Sequence, residues 1–149
     1  MGSFYGTITA GTIVNADLAD AAAIVATKVQ HQYSPLFAQA NSAAASDTGR
    51  VLHVVKGATG TIVAFRAGSI VAAIGAATVT VDLKKNGTTV LSAVITLDSG
   101  NTAYIVEEGT ISVPAVVAGD VLTLVIVATA GGGTLPTGLF AQVVIREDA

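Results

Sequence analysis

Two histidines, His31 and His53, are the side chains of this 149-residue sequence whose ordinary titration falls near neutral pH. Paired with a serine and an acid, a histidine supports acyl transfer. No Gly-x-Ser-x-Gly elbow accompanies them; Ser69 follows Gly68, but the spacing around it does not match. His53 stands inside an alternating stretch and reads as a strand-surface or interface residue. His31 follows a helical pattern and reads as a partner of the helix dipole or of a neighbour. The run Gly131-Gly132-Gly133-Thr134 lacks the Gly-Lys-Ser/Thr ending of a phosphate-binding loop, and no helical pattern follows it, so it reads as a surface loop. Glu107 and Glu108 are adjacent and would point to opposite faces of a strand. Asp98, Asn101 and Glu107 could converge at one loop end, which reads as a solvated rim, and Asp120 after Gly119 reads as a turn residue that opens a strand. Asn86-Gly87-Thr88 matches a glycosylation sequon, but Asn-Gly is also a hairpin turn signal, and the turn accounts for it. The expectation is a chain that is not an enzyme, with no catalytic residues, no metal ligands and no cofactor.

Composition narrows the class further. There is no cysteine, which excludes disulfides and thiolate chemistry. The net charge is −3 and the seven Lys and Arg are scattered, so the clustered cations that neutralise phosphates are missing and no nucleic-acid partner is expected. Aromatic residues make up 5% with no tryptophan, which argues against a sugar-stacking platform. Hydrophobic residues reach 52% while charged ones are only 11%, against about 25% in an ordinary globular domain. A span through a membrane does not explain this. The longest uncharged run, 121–145, is broken by Gly131 to Gly133, Pro136 and Gly138, and its apolar part is rich in strand-favouring valine and isoleucine. Met1-Gly2-Ser3-Phe4 has neither the charged nor the apolar region of a signal peptide. Burial against partner subunits is the remaining account, and no membrane partner is expected.

The elements divide the chain in two, an arm at 1–48 and a body at 49–149. The body reads as eight or nine consecutive strands, at 51–56, 61–66, 69–74, 77–84, 89–97, 103–107, 110–113, 121–129 and 139–146 with room for one or two to merge, separated by Gly and Asp. Short strands without intervening helices predict antiparallel sheets, and the fold class expected is all-β, an antiparallel β-sandwich of jelly-roll type. Asn86-Gly87 predicts a two-residue hairpin in which Lys85 faces Thr88, Leu83 faces Val90 and Val79 faces Val94. Strand 89–97 then presents Leu91, Ala93, Ile95 and Leu97 on its second face, and strand 121–129 is apolar on both faces. A half-solvated strand should alternate instead. These second faces must be covered by a second sheet, by the arm or by a neighbouring subunit, since exposed they would form a sticky patch.

In the arm, Asn15 is a good N-cap, Asp17 and Asp20 suit the positive end of a helix, and Leu18, Ala22, Val25 and Val29 recur at helical spacing. Pro35 ends any continuation. Such a narrow, alanine-rich helix is marginal alone in water and must pack on something. Residues 39–49 are small and polar and read as a linker. Ile13, Leu18, Val25, Val29, Leu91, Ile95 and Leu97 are therefore the expected contact residues toward other subunits.

The stretch Ile8-Thr9-Ala10-Gly11-Thr12-Ile13-Val14-Asn15-Ala16-Asp17-Leu18-Ala19-Asp20-Ala21-Ala22-Ala23-Ile24-Val25-Ala26-Thr27-Lys28-Val29 resembles arm segments of virion surface proteins of tailed bacteriophages. The body, with Val79 to Thr88 and Ala118-Gly119-Asp120-Val121-Leu122, is similar in style to their jelly-roll or sandwich modules. The resemblance implies a homotrimer on the virion capsid or tail, without catalysis and with no ligand residues to transfer. The function it implies is a capsid decoration or cement protein that contacts the major capsid protein. The alternative is a tail-fibre or receptor-binding module that attaches to the host surface through loops such as 98–102 or 131–138.

Overall fold

The Asn86-Gly87 turn nucleates the most local piece of the fold. Both residues take positive φ, +50° and +86°, as a type I′ turn requires. Lys85 pairs with Thr88 and Lys84 with Thr89, and the Val90 amide donates to the Leu83 carbonyl at 3.0 Å, as the turn predicts.

The computed structural model describes residues 30–148, and these form eleven strands and no helix. In chain order they are β1 (Gln30–Tyr33), β2 (Leu36–Ala38), β3 (Asp47–Val54), β4 (Thr59–Val71), β5 (Thr78–Lys85), β6 (Thr88–Thr89), β7 (Ile95–Leu97), β8 (Val106–Gly109), β9 (Ala115–Val117), β10 (Val121–Thr129) and β11 (Thr137–Asp148). One sheet runs β1-β11-β4-β8, with β2 also on β11 and β9 also on β4; the other runs β3-β10-β5-β6, with β7 also on β5. All pairings are antiparallel.

Counting β1/β2, β6/β7 and β8/β9 as one interrupted strand each gives sheet orders 1-8-3-6 and 2-7-4-5. That is the strand order of a jelly roll, in which successive strands alternate between two sheets except at the β5-β6 hairpin. The core between them is filled by Ile62, Phe65, Val79, Val81, Leu83, Leu122, Leu124, Ile126, Leu139, Val143 and Ile145, all at most 2% exposed.

Five expectations change. Residues 30–48 belong to the sandwich rather than to an arm and linker, because β1 and β2 hydrogen-bond to β11 and β3 begins at Asp47. His31 lies in β1 rather than at a helix end. The strands expected at 61–66 and 69–74 are one thirteen-residue strand. It continues through Gly68 because the Phe140 ring lies over that position; a Cβ there would sit 2.8 Å from the ring and 2.9 Å from the Ile105 carbonyl. The stretch 110–113 is not a strand; Leu91 bridges Ile111, and β9 follows Pro114. The helix expected from Asn15 lies outside the described residues.

The fifth change, in the strand expected at 89–97, decides the orientation of three candidate residues. After Val90 the chain leaves its sheet, and Ser112 and Ser92 make backbone bonds to Val90 and Thr110 at 2.8 and 3.0 Å. It returns as β7 three residues out of the hairpin register, with Val79 opposite Leu97 instead of Val94 and Val81 opposite Ile95. A shift by an odd number of residues turns every side chain to the other face. Leu91, Ile95 and Leu97 thereby enter the core at 4%, 5% and 2% exposure.

Candidate functional site

Where β3 of one sheet faces β1 and β11 of the other, a polar seam closes the sandwich. His53 and Arg50 pair with the inward residues Leu122 and Leu124, so they point toward the gap between the sheets. Arg50 ends 5.1 Å from the centroid of the Phe37 ring and pairs with Asp47 at 2.9 Å. His53 donates through Nε2 to Glu147 Oε1. Glu147 Oε2 accepts the backbone amides of Lys56 at 3.0 Å and Gly57 at 2.8 Å. Tyr33 covers the imidazole with ring centroids 5.1 Å apart. Burial pushes the Glu147 carboxyl up, but the Gly57 amide, the His53 ring and the Lys56 amide outweigh it and hold it below its ordinary value of 4.5.

This seam contains the most chemistry-bearing residues, and its geometry defines what they can do. Glu147 fixes the His53 tautomer and consumes Nε2, and both carboxylate oxygens are already occupied. The cavity beside it, about 170 Å³ and lined by His31, Tyr33, Lys56 and Glu147, is below the roughly 300 Å³ at which small-molecule sites begin. A larger cavity of about 440 Å³ lies between β2 and β3. Part of its polar lining is engaged, since the Gln39 amide binds both the carbonyl and the amide of Ala45 at 2.6 and 3.0 Å.

A second cluster clasps the Asn86 hairpin to the turn before β10. The Asn86 side-chain amide donates to Asp120 at 2.6 Å and its carbonyl accepts the Val121 amide at 2.9 Å. Asp120 also accepts the Val117 amide at 2.9 Å, with the Lys85 ammonium 3.9 Å away. The Val117 amide, the Asn86 amide and Lys85 together overcome burial and hold Asp120 below 3.8. Asp120 is thus a turn residue, and the Asn86 amide that a glycan would need is committed inside the chain. Asp98, Asn101 and Glu107 do converge, as one loop clasp. Asn101 accepts the Asp98 amide at 2.6 Å and donates to Glu107 at 2.8 Å. Among the described residues no group of three or more His, Cys, Asp and Glu side chains is placed to hold a metal ion.

The expected contact residues separate into two sets. Leu91, Ile95 and Leu97 are covered by the chain's own core and present no surface to a neighbour. Ile13, Leu18, Val25 and Val29 lie outside the described residues. The second face of β10 behaves differently. Val127 is 45% exposed and Val121 and Val125 are half-buried, while Leu122, Leu124 and Ile126 fill the core. Cross-strand pairing adds Val54 and Val51, 46% and 54% exposed, opposite Val121 and Thr123. It adds Thr80 opposite Val127 and Lys84 opposite Thr123. This outer face is therefore a sheet of valine and threonine. Sequence reasoning did not name Val51 and Val54, because the bulge between them turns both Leu52 and His53 inward and breaks the period-two alternation. No protein-family model matches the chain, and comparison with curated proteins finds no match.

Proposed function

We propose that the chain is a non-catalytic structural subunit of a protein assembly, and that the assembly is a bacteriophage capsid, on which it acts as a decoration or cement protein. The observation that carries the reading is the outer valine face of β10 and β3, which none of the described residues covers, in a chain with only 11% charged residues. An apolar sheet face facing water is unfavourable, and burial against neighbours removes that cost at roughly 25 cal/mol per Å². The jelly roll is compatible with this role, although that fold also carries other functions. The polar clusters support the same reading, because His53, Glu147, Asn86 and Asp120 serve each other and the backbone. In this reading function lies in contact area. Copies on the shell, arranged as a homo-oligomer such as the trimer that the arm motif implies, tie neighbouring major capsid proteins together against internal pressure.

The test is localisation and release. Gold-labelled antibody raised against the purified chain should mark phage heads, and particles stripped of it should lose their contents at lower temperature. Labelling confined to tails would favour the receptor-binding reading, and absence from particles would overturn both.

A further inference from the structure

We infer that Asn86 is a site of spontaneous covalent modification, deamidation at the Asn86-Gly87 peptide, and that the clasp to Asp120 both gates the reaction and rejects its product. This is independent of what the chain assembles with. The chemistry is internal to the turn. The Gly87 backbone nitrogen attacks Asn86 Cγ, and the Cγ–Nδ2 bond breaks. The amide nitrogen leaves as ammonia, taking the Gly87 proton, and a cyclic imide remains. Water adds to one imide carbonyl and opens the ring to aspartate or isoaspartate, so water is the one co-reactant. Asparagine is chemically labile in this way. Gly87 leaves the attacking nitrogen unhindered, since the space where a Cβ would sit is empty to 4 Å. Both residues are exposed to water.

In the folded chain the reacting side chain is pinned. Asn86 Nδ2 donates to Asp120 Oδ1 at 2.6 Å, Oδ1 accepts the Val121 amide at 2.9 Å, and the Asn86 amide donates to the Val121 carbonyl at 2.9 Å. To meet the Gly87 nitrogen the side chain must turn and give up both of its bonds, a local opening with a free-energy cost. Asp120 does not help the leaving group. The Val117 amide, with Asn86 and Lys85, keeps its carboxyl ionised, so it has no proton to give to departing ammonia. The product then reverses the sign of the contact. A carboxylate at position 86 has no proton for Asp120 Oδ1, and two anions face each other where a 2.6 Å hydrogen bond stood. Asp120 is 8% exposed, so solvent screens that repulsion poorly. Isoaspartate also adds a backbone carbon to a two-residue turn that sets the pairing of Lys85 with Thr88. Each opening that reacts is thereby made permanent. The bonding can be rebuilt only with the roles exchanged. In Asn86→Asp with Asp120→Asn, the carboxylate at 86 accepts the Val121 amide and the new amide at 120. The side-chain carbonyl at 120 accepts the Val117 amide, as Asp120 does now at 2.9 Å.

Peptide mapping by mass spectrometry tests the gate. The full chain is incubated in mildly alkaline buffer with and without denaturing urea, and conversion at Asn86 is followed in time. Conversion should be about tenfold slower, or more, in native buffer than in urea. Asp120→Ala should accelerate it in native buffer by about threefold or more. Circular dichroism confirms folding, and Asp120→Asn takes the place of Asp120→Ala if the latter does not fold. Thermal melts test the product. Asn86→Asp should melt below wild type, and adding Asp120→Asn should recover about half of the loss or more. An Asn86→Asp chain that folds only when Asp120→Asn is added supports the inference in the same way. Equal rates with and without urea, or no conversion in urea, overturn it. So does an Asn86→Asp chain that melts with wild type, or a double variant no more stable than the single one.

Discussion

Glu147 is 2% exposed and ionised, a placement that proteins tolerate only when every oxygen has a partner. Its two backbone donors and His53 meet that condition, and together they join the two sheets across their open side. Glu147→Gln puts an amide donor among donors and should cost about 3 kcal/mol in urea unfolding. The pH dependence has a fixed sign. The carboxyls of Glu147 and Asp120 lie below their ordinary values in the folded chain, so their contribution is present above 4.5 and 3.8 and is lost as pH falls through the lowered values. The urea midpoint should drop between about pH 5 and pH 3, and drop less steeply in Glu147→Gln. Asp120 was legible as a turn residue, but the role of Glu147 was not legible locally. Glu147 and His53 are 94 positions apart, and no spacing rule connects them.

At the scale of elements, the hairpin and β10 were the most readable parts. Asn-Gly demands positive φ at both positions, and β10 has the bounds its apolar run predicts, Val121–Thr129. Asn86→Ala removes the clasp to Asp120 and Val121 and forces alanine into a left-handed conformation; it should cost about 2 kcal/mol in thermal or urea unfolding. Strand β4 was less readable, because Gly68 looks like a break until Phe140 is seen to lie over it. Gly68→Val should overpack that contact and cost about 1–3 kcal/mol, measurable as a lowered melting temperature. β6 and β7 were misread as one strand. The excursion between them follows the bond from Ser112 to Val90, a pairing whose partner lies 22 residues away.

For the whole molecule, the uncovered surface differs from the one first expected. The core claims Leu91, Ile95 and Leu97, and the exposed apolar residues of the β10 face are Val51, Val54 and Val127. The jelly roll accounts for this division, since each sheet has one face toward the other and one face outward. Stability should therefore respond little to a polar substitution at Val127 and strongly to one at Leu124. Val127→Thr is expected to change unfolding free energy by under about 0.5 kcal/mol. Leu124→Ala is expected to lower it by about 2–5 kcal/mol. Chemical denaturation of both variants at one protein concentration checks the contrast.

The all-β class, the antiparallel sandwich, the Asn86-Gly87 hairpin and the excess of apolar strand faces were all legible in the order of the residues. Each of these rests on local signals: turn chemistry, β-branched residues and alternation with period two. Which apolar face is inward was settled by packing, because a three-residue shift in register reverses a strand without changing its composition. Packing alone brought β1 and β2 into the sandwich and set Glu147 against His53, since both depend on pairing between opposite ends of the described chain.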